Sequence, residues 1–162
     1  MPTTDELYSA LTADPQAVSQ PLLEFGQGRV RERGTFLPVG ATLDATGQVG
    51  LLTAVSEREP ATSEDVLPIL LEGLAQVAND ASVVAVAAVE WVRISGANHA
   101  RQPAIKVQVH HRRGFAVTFY VPAVRSGLGG WTFGDMIAKA SPGLIALWPI
   151  QDCLLGRRLR RG

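Results

Sequence analysis

Cysteine is almost missing: Cys153 stands alone among 162 residues, so an intrachain disulfide is impossible and a zinc site built of several thiolates is excluded. Stability must come from packing. No window approaches eighteen uninterrupted apolar residues, and the opening MPTTDELYSA has neither a basic start nor an apolar signal core. A transmembrane segment is therefore not expected, and the cytoplasm is the default compartment. Histidine is scarce too. His99, His110 and His111, with Glu90 and Asp135, are the only ingredients for a metal or acid–base site.

Net charge is also absent, since fifteen basic side chains balance fifteen acidic ones. The balance is uneven. Arg157, Arg158, Arg160 and Arg161 crowd the last six residues, and without them eleven bases face fifteen acids. The body is mildly acidic, which argues against an extended nucleic-acid face; only the tail 157–162 offers a weak electrostatic hold on nucleic acid, anionic lipid or an acidic protein.

What is present is a hydrophobic content of 46% in a chain long enough for one domain with a real core. Residues 83–94, VVAVAAVEWVRI, are apolar in both alternating registers, with Glu90 as the interruption, and six of the twelve are β-branched. They read as a strand buried on both faces, which requires a sheet with cover on each side. Around it, residues 4–11 suit a short helix capped by Thr4. Asp14-Pro15 suits a second start, with Val18, Leu22 and Phe25 at helical intervals and Pro21, Gly26 and Gly28 breaking any long helix before Gly34.

Residues 35–43 and 48–55 flank Asp44-Ala45-Thr46-Gly47 as a hairpin, and Pro38 requires that the first strand start late or leave that position unpaired. Residues 64–79 carry Val66, Ile69, Leu70, Gly73, Leu74 and Val77 at helical spacing, entered around 62–65. Residues 104–111 and 115–121 alternate about the turn Arg112-Arg113-Gly114, which makes a second hairpin. Thr132 and Asp135 have the spacing of a capping-box variant for a helix over 133–140, and residues 144–150 suit a strand or an apolar clasp.

The expected protein is a single α+β domain over residues 1–156, with residues 1–20 peripheral and 157–162 a basic tail. A five-stranded, mostly antiparallel sheet carries helices on both faces in the order helix-β-β-helix-β-β-β-helix. That order, with the turn in GATLDATGQVGLLTA, resembles profilin-like and roadblock-type domains over roughly residues 22–140. The strings FLPVGATLDATG (36–47) and FYVPAVRSGLGGWTFGDM (119–136) resemble small bacterial proteins, some of them immunity-like interaction partners. The resemblance implies a compact binding protein and brings no catalytic residue with it.

The chemistry-bearing residues fall short of a reaction. His110 and His111 are adjacent on a strand and face opposite ways, so they cannot both be ligands on one face without a bulge. Gly127-Leu128-Gly129-Gly130 before the expected helix invites a phosphate, but no Lys-Ser/Thr follows, and a simple connection is favoured. Ser126, Ser141 and Cys153 lie in no nucleophile elbow. Trp91, Trp131 and Trp148 suit core or interface positions.

The sequence thus predicts a non-enzymatic protein–protein interaction domain with no cofactor and no metal. It would act as a homodimer or as an inhibitor or immunity-like partner through the polar sheet side at Lys106, Gln108, His110, Thr118 and Tyr120. The alternative is a small-ligand domain or enzyme with a pocket between the sheet and the terminal helices, using Glu90, His110 and Tyr120.

Overall fold

The computed structural model describes residues 4–95 and 101–150, with side chains from residue 13 onward. Helix α1 (Thr4–Arg33) and helix α2 (Ser63–Val77) lie on opposite faces of an antiparallel sheet. Its strands are β1 (Val39–Asp44), β2 (Val49–Thr53), β3 (Val83–Ser95), β4 (Arg101–His111), β5 (Ala116–Arg125), β6 (Trp131–Phe133) and β7 (Ile137–Ala140). The spatial order is β2-β1-β3-β4-β5, and β6 and β7 both pair with β5.

The doubly apolar run is the inner strand β3, between β1 and β4. Ala85, Ala87 and Val89 join the cluster beneath α1, whereas Val83, Val86 and Ala88 join the one beneath α2. Strict alternation would place Val83 with Ala85. Leu43 pairs with Ala85 but Asp44 pairs with Val83, so Val84 is an extra residue and Val83 swaps faces at this bulge. Double burial ends at Glu90; Trp91 to Ser95 are half-buried or exposed.

The first hairpin starts late, at Val39, directly after Pro38. Its turn is held by Asp44, whose carboxylate accepts from the Thr46 hydroxyl at 2.6 Å and from the Thr46 and Gln48 amides at 2.9 Å each. These bonds, the Thr46 hydroxyl foremost, hold the Asp44 carboxyl below its ordinary pKa. Thr62 and Asp65 form a reciprocal capping box at the start of α2, which buries Val66, Leu70 and Leu74 against the sheet.

Two expectations are corrected. The N-terminal region is not broken: α1 runs through Pro15 and Pro21 to Gly34, where φ is 73° and the amide donates to the Val30 carbonyl. Each proline costs about 3 kcal/mol in a helix interior, but Val18, Leu22 and Val30 are fully buried on the sheet, at about 1.5–3 kcal/mol apiece. Packing offsets the local penalty. The glycine that argued against a helix serves that packing, since a Cβ at Gly26 would lie 3.2 Å from Phe36 and 3.3 Å from Ile105. Pro15 and Val18 are both buried, so the inner end of residues 1–20 is core.

The second correction concerns residues 133–140, which hold no helix: β6 ends at Phe133 and β7 covers Ile137–Ala140. Trp131 and Phe133 pack on the α1 side while Thr132 between them is exposed, a period of two. Phe133 pairs with Ala123 and Ile137 with Tyr120, so three residues, Gly134, Asp135 and Met136, oppose Val121 and Pro122. β6 and β7 are therefore one edge strand interrupted by a bulge, and the sheet has seven strand segments instead of five. Residues 141–150 add no strand; Ile145 and Trp148 pack as a clasp on the α2 side.

Candidate functional site

The five residues of the expected contact surface do share one face of β4 and β5, the α2 side. Register places Lys106 opposite Tyr120 and Gln108 opposite Thr118. Glu90 lies across from Lys106 on β3, with 3.6 Å between carboxylate and ammonium. The face is not open along its length, however. His110 and Thr118 are buried, His110 because residues 141–150 cross the face there, while Lys106, Gln108 and Tyr120 stay half-exposed.

His110 is the anchor of that cover. Its Nδ1 accepts from the Leu144 amide at 3.1 Å and the Ile145 amide at 3.2 Å, which leaves Nε2–H to donate to the Pro149 carbonyl at 3.2 Å. Trp148 meets the imidazole edge-on at 5.4 Å. The Arg112 guanidinium lies 4.6 Å from the Trp148 ring centre and donates to the carbonyls of Val83, Ala78 and Asp80 at 2.7–2.8 Å. Ser141 receives bonds from the Gln108 amide group and the Gly143 amide. Burial holds the His110 pKa below its ordinary 6.5; the bond to Pro149 pulls the other way, and the His111 charge adds to the depression.

With both ring nitrogens engaged by backbone, His110 has no lone pair or proton free for a substrate. Glu90 and Tyr120 flank Lys106 on neighbouring strands, whereas His110 lies four residues further along β4 under the clasp, so the three do not converge. His111 points to the opposite face, where Nε2 is 3.0 Å from Asp14 of α1 and Nδ1 accepts from the Arg113 amide. Asp135 sits in the edge bulge, away from both. Among the described residues, no three His, Cys, Asp or Glu side chains gather as a metal site.

The glycine-rich loop joins β5 to β6, so no helix follows it. Gly129 and Gly130 donate their amides to the Ser126 carbonyl and hydroxyl, and the Ser126 amide donates to the Gly130 carbonyl. Those groups close a turn and are not displayed to an anion. Trp91 packs between Phe36 and Trp131, at 6.1 and 5.6 Å, in the α1 cluster. His99, Cys153 and the four tail arginines lie outside the described residues.

A hollow of about 380 Å³ lies between α1 and the β5 end of the sheet, where the alternative reading set a pocket between sheet and terminal helix, but Glu90, His110 and Tyr120 do not line it. Val107, Val117, Phe115 and Phe119 form its floor, Leu23 one wall, and Met136 and Ala138 of the edge strand the other. Its polar lining comes from Gln16, Ser19 and Gln20 of α1, and among the described residues no charged side chain lines it. The signal for it was slight: small and polar α1 residues stand opposite Phe115, just before β5, and Phe119 on it, so the helix does not fill the space.

Beside the hollow lies the outer side of β7, which among the described residues pairs only with β5. All four of its residues are exposed. Ala138 and Phe119 face the hollow, while Ile137 and Lys139 flank Tyr120 and Thr118 on the polar face. Lys139 lies 5.5 Å from the Tyr120 ring centre. No helix among the described residues is long and apolar enough to cross a membrane. No family model, curated protein or solved structure matches this chain.

Proposed function

We propose that this chain works through protein contacts without catalysis, as an inhibitor or immunity-like partner that takes an extended segment of another chain along its outer sheet edge. One observation carries the reading: among the described residues, β7 has an open edge directly beside a largely apolar hollow that no charged side chain lines. A strand added there gains main-chain hydrogen bonds from β7, and its alternate side chains fall over the hollow. The other side chains fall beside Ile137, Lys139 and Tyr120, the half-exposed end of the polar face, so the two candidate surfaces adjoin at one edge. A homodimer through the same edge is the self-paired form of this contact. The resemblance to immunity-like bacterial proteins supports a binding role in the cytoplasm, with Arg157, Arg158, Arg160 and Arg161 as a weak electrostatic adjunct.

The test uses the full chain in sedimentation over a wide concentration range and in selection from displayed peptides. Wild type self-associates or enriches extended peptides with apolar residues at alternate positions. Ala138→Arg, a change at an exposed edge position that puts charge against the hollow, loses both and keeps its thermal midpoint. A strict monomer that enriches no such peptide contradicts the proposal.

A further inference from the structure

We propose that residues 141–150 are an acid-released cover over the polar face of the sheet, latched by the neutral ring of His110. The geometry allows one protonation state. Two backbone amides, from Leu144 and Ile145, aim at Nδ1 while Nε2–H is spent on the Pro149 carbonyl. A second proton would have to sit on Nδ1, where it faces two donors and no acceptor. Closure and protonation of His110 therefore exclude each other.

The groups around the latch reinforce this. No residue of 141–150 titrates, so nothing on the cover can take up the new charge. Next along the chain are His111, the last residue of β4, which is tied to Asp14, and Arg112 in the turn after it, whose guanidinium lies over Trp148. Both present positive charge to the site when charged. From α2, Glu72 shares a surface hollow with Arg112 and Trp148 outside the His110 ring. Further along the polar face, Lys106 and Glu90 pair with each other.

The sign follows from proton counting. The His110 pKa is depressed in the closed state below its ordinary 6.5, so the open state binds more protons as pH falls. The latch is at full strength above about 6.5 and is lost progressively below it, by roughly tenfold in the opening equilibrium per pH unit until the closed-state value is reached. Opening bares His110, which the cover buries, and frees Gln108 from Ser141. Fit at the latch is close: Gly143 holds φ at 89°, and a Cβ there would lie 2.9 Å from the His110 ring.

Amide hydrogen exchange of the full chain, corrected for intrinsic rates and read from pH 8 to pH 5, tests the device. Protection at Leu144 and Ile145 falls about tenfold per pH unit below 6.5 while protection at Ala87 and Val89 in β3 holds. His110→Asn keeps a carbonyl oxygen where Nδ1 accepts and does not titrate; its protection at these amides is flat with pH. Should His110→Asn misfold, the wild-type ring nitrogen shifts give the same answer, since the neutral Nε2–H form must persist below pH 6.5 in the closed state. Constant protection at Leu144 and Ile145 across the range overturns the proposal. So does an equal fall in His110→Asn, or a parallel fall in β3.

Discussion

The two faces of the sheet are covered by different physics. On the α1 side, contact is mainly apolar: Val18, Leu22 and Val30 meet Ala85, Ala87, Val89, Ile105, Val107 and Val109, and Phe36, Trp91 and Trp131 extend the layer, with the hollow beside β5 as its gap and His111–Asp14 as a polar contact. On the other side α2 brings Leu70 and Leu74 over β1 and β3, but the β4 and β5 part is covered by a segment without helix or strand. Besides the apolar contacts of Ile145 and Trp148, its hold depends on a few directed bonds to His110 and Gln108 and on the Arg112 cation over Trp148. An apolar layer is lost by degrees as volume is removed, whereas a bonded cover opens when one protonation state or one donor changes.

That contrast can be broken by mutation. Leu22→Ala, in the fully buried stripe of α1, should lower global stability by about 3 kcal/mol in urea unfolding. A loss below about 1 kcal/mol would mean that α1 is not part of the cooperative core. Arg112→Ala removes three bonds to backbone carbonyls and the cation over Trp148, and should cost about 2 kcal/mol. Its signature is faster exchange at Leu144 and Ile145 ahead of β3. Equal acceleration everywhere would remove the distinction between the faces.

Smaller effects sharpen the comparison. Thr62→Ala breaks the capping box at the start of α2 and should cost about 1 kcal/mol in thermal or urea unfolding, with no change in the exchange of α1. Lys106→Met removes the pair with Glu90, a carboxylate only 12% exposed, and should cost about 1 kcal/mol in urea unfolding because that carboxylate loses its counter-charge. No measurable loss would mean that solvent already screens the pair.

What can be read in the sequence follows the same divide. The β3 run, both hairpins, the late start after Pro38 and the terminator Gly34 are legible because periodicity and turn chemistry are local. The continuity of α1 is not. Pro15, Pro21 and Gly26 each disfavour a helix locally, and only burial against the sheet, where Gly26 allows close approach, outweighs that preference. The edge strand is hidden because Trp131-Thr132-Phe133 alternates for just three residues before Gly134, while Thr132 and Asp135 imitate a cap. Alternation puts His110 on the polar face, but its burial comes from amides more than thirty residues further along. The bulge at Val84 shifts two side chains in a run where every residue is apolar, so composition carries no trace of it.

Native-state hydrogen exchange at neutral pH with increasing urea tests most directly whether the two covers are energetically separate. The amides of Ala87 and Val89 should exchange only through a urea-dependent global opening, while those of Leu144 and Ile145 exchange through a smaller opening with little urea dependence. A single shared urea slope and opening energy for both sets would show that clasp and core open together, and would contradict the separation of the two covers.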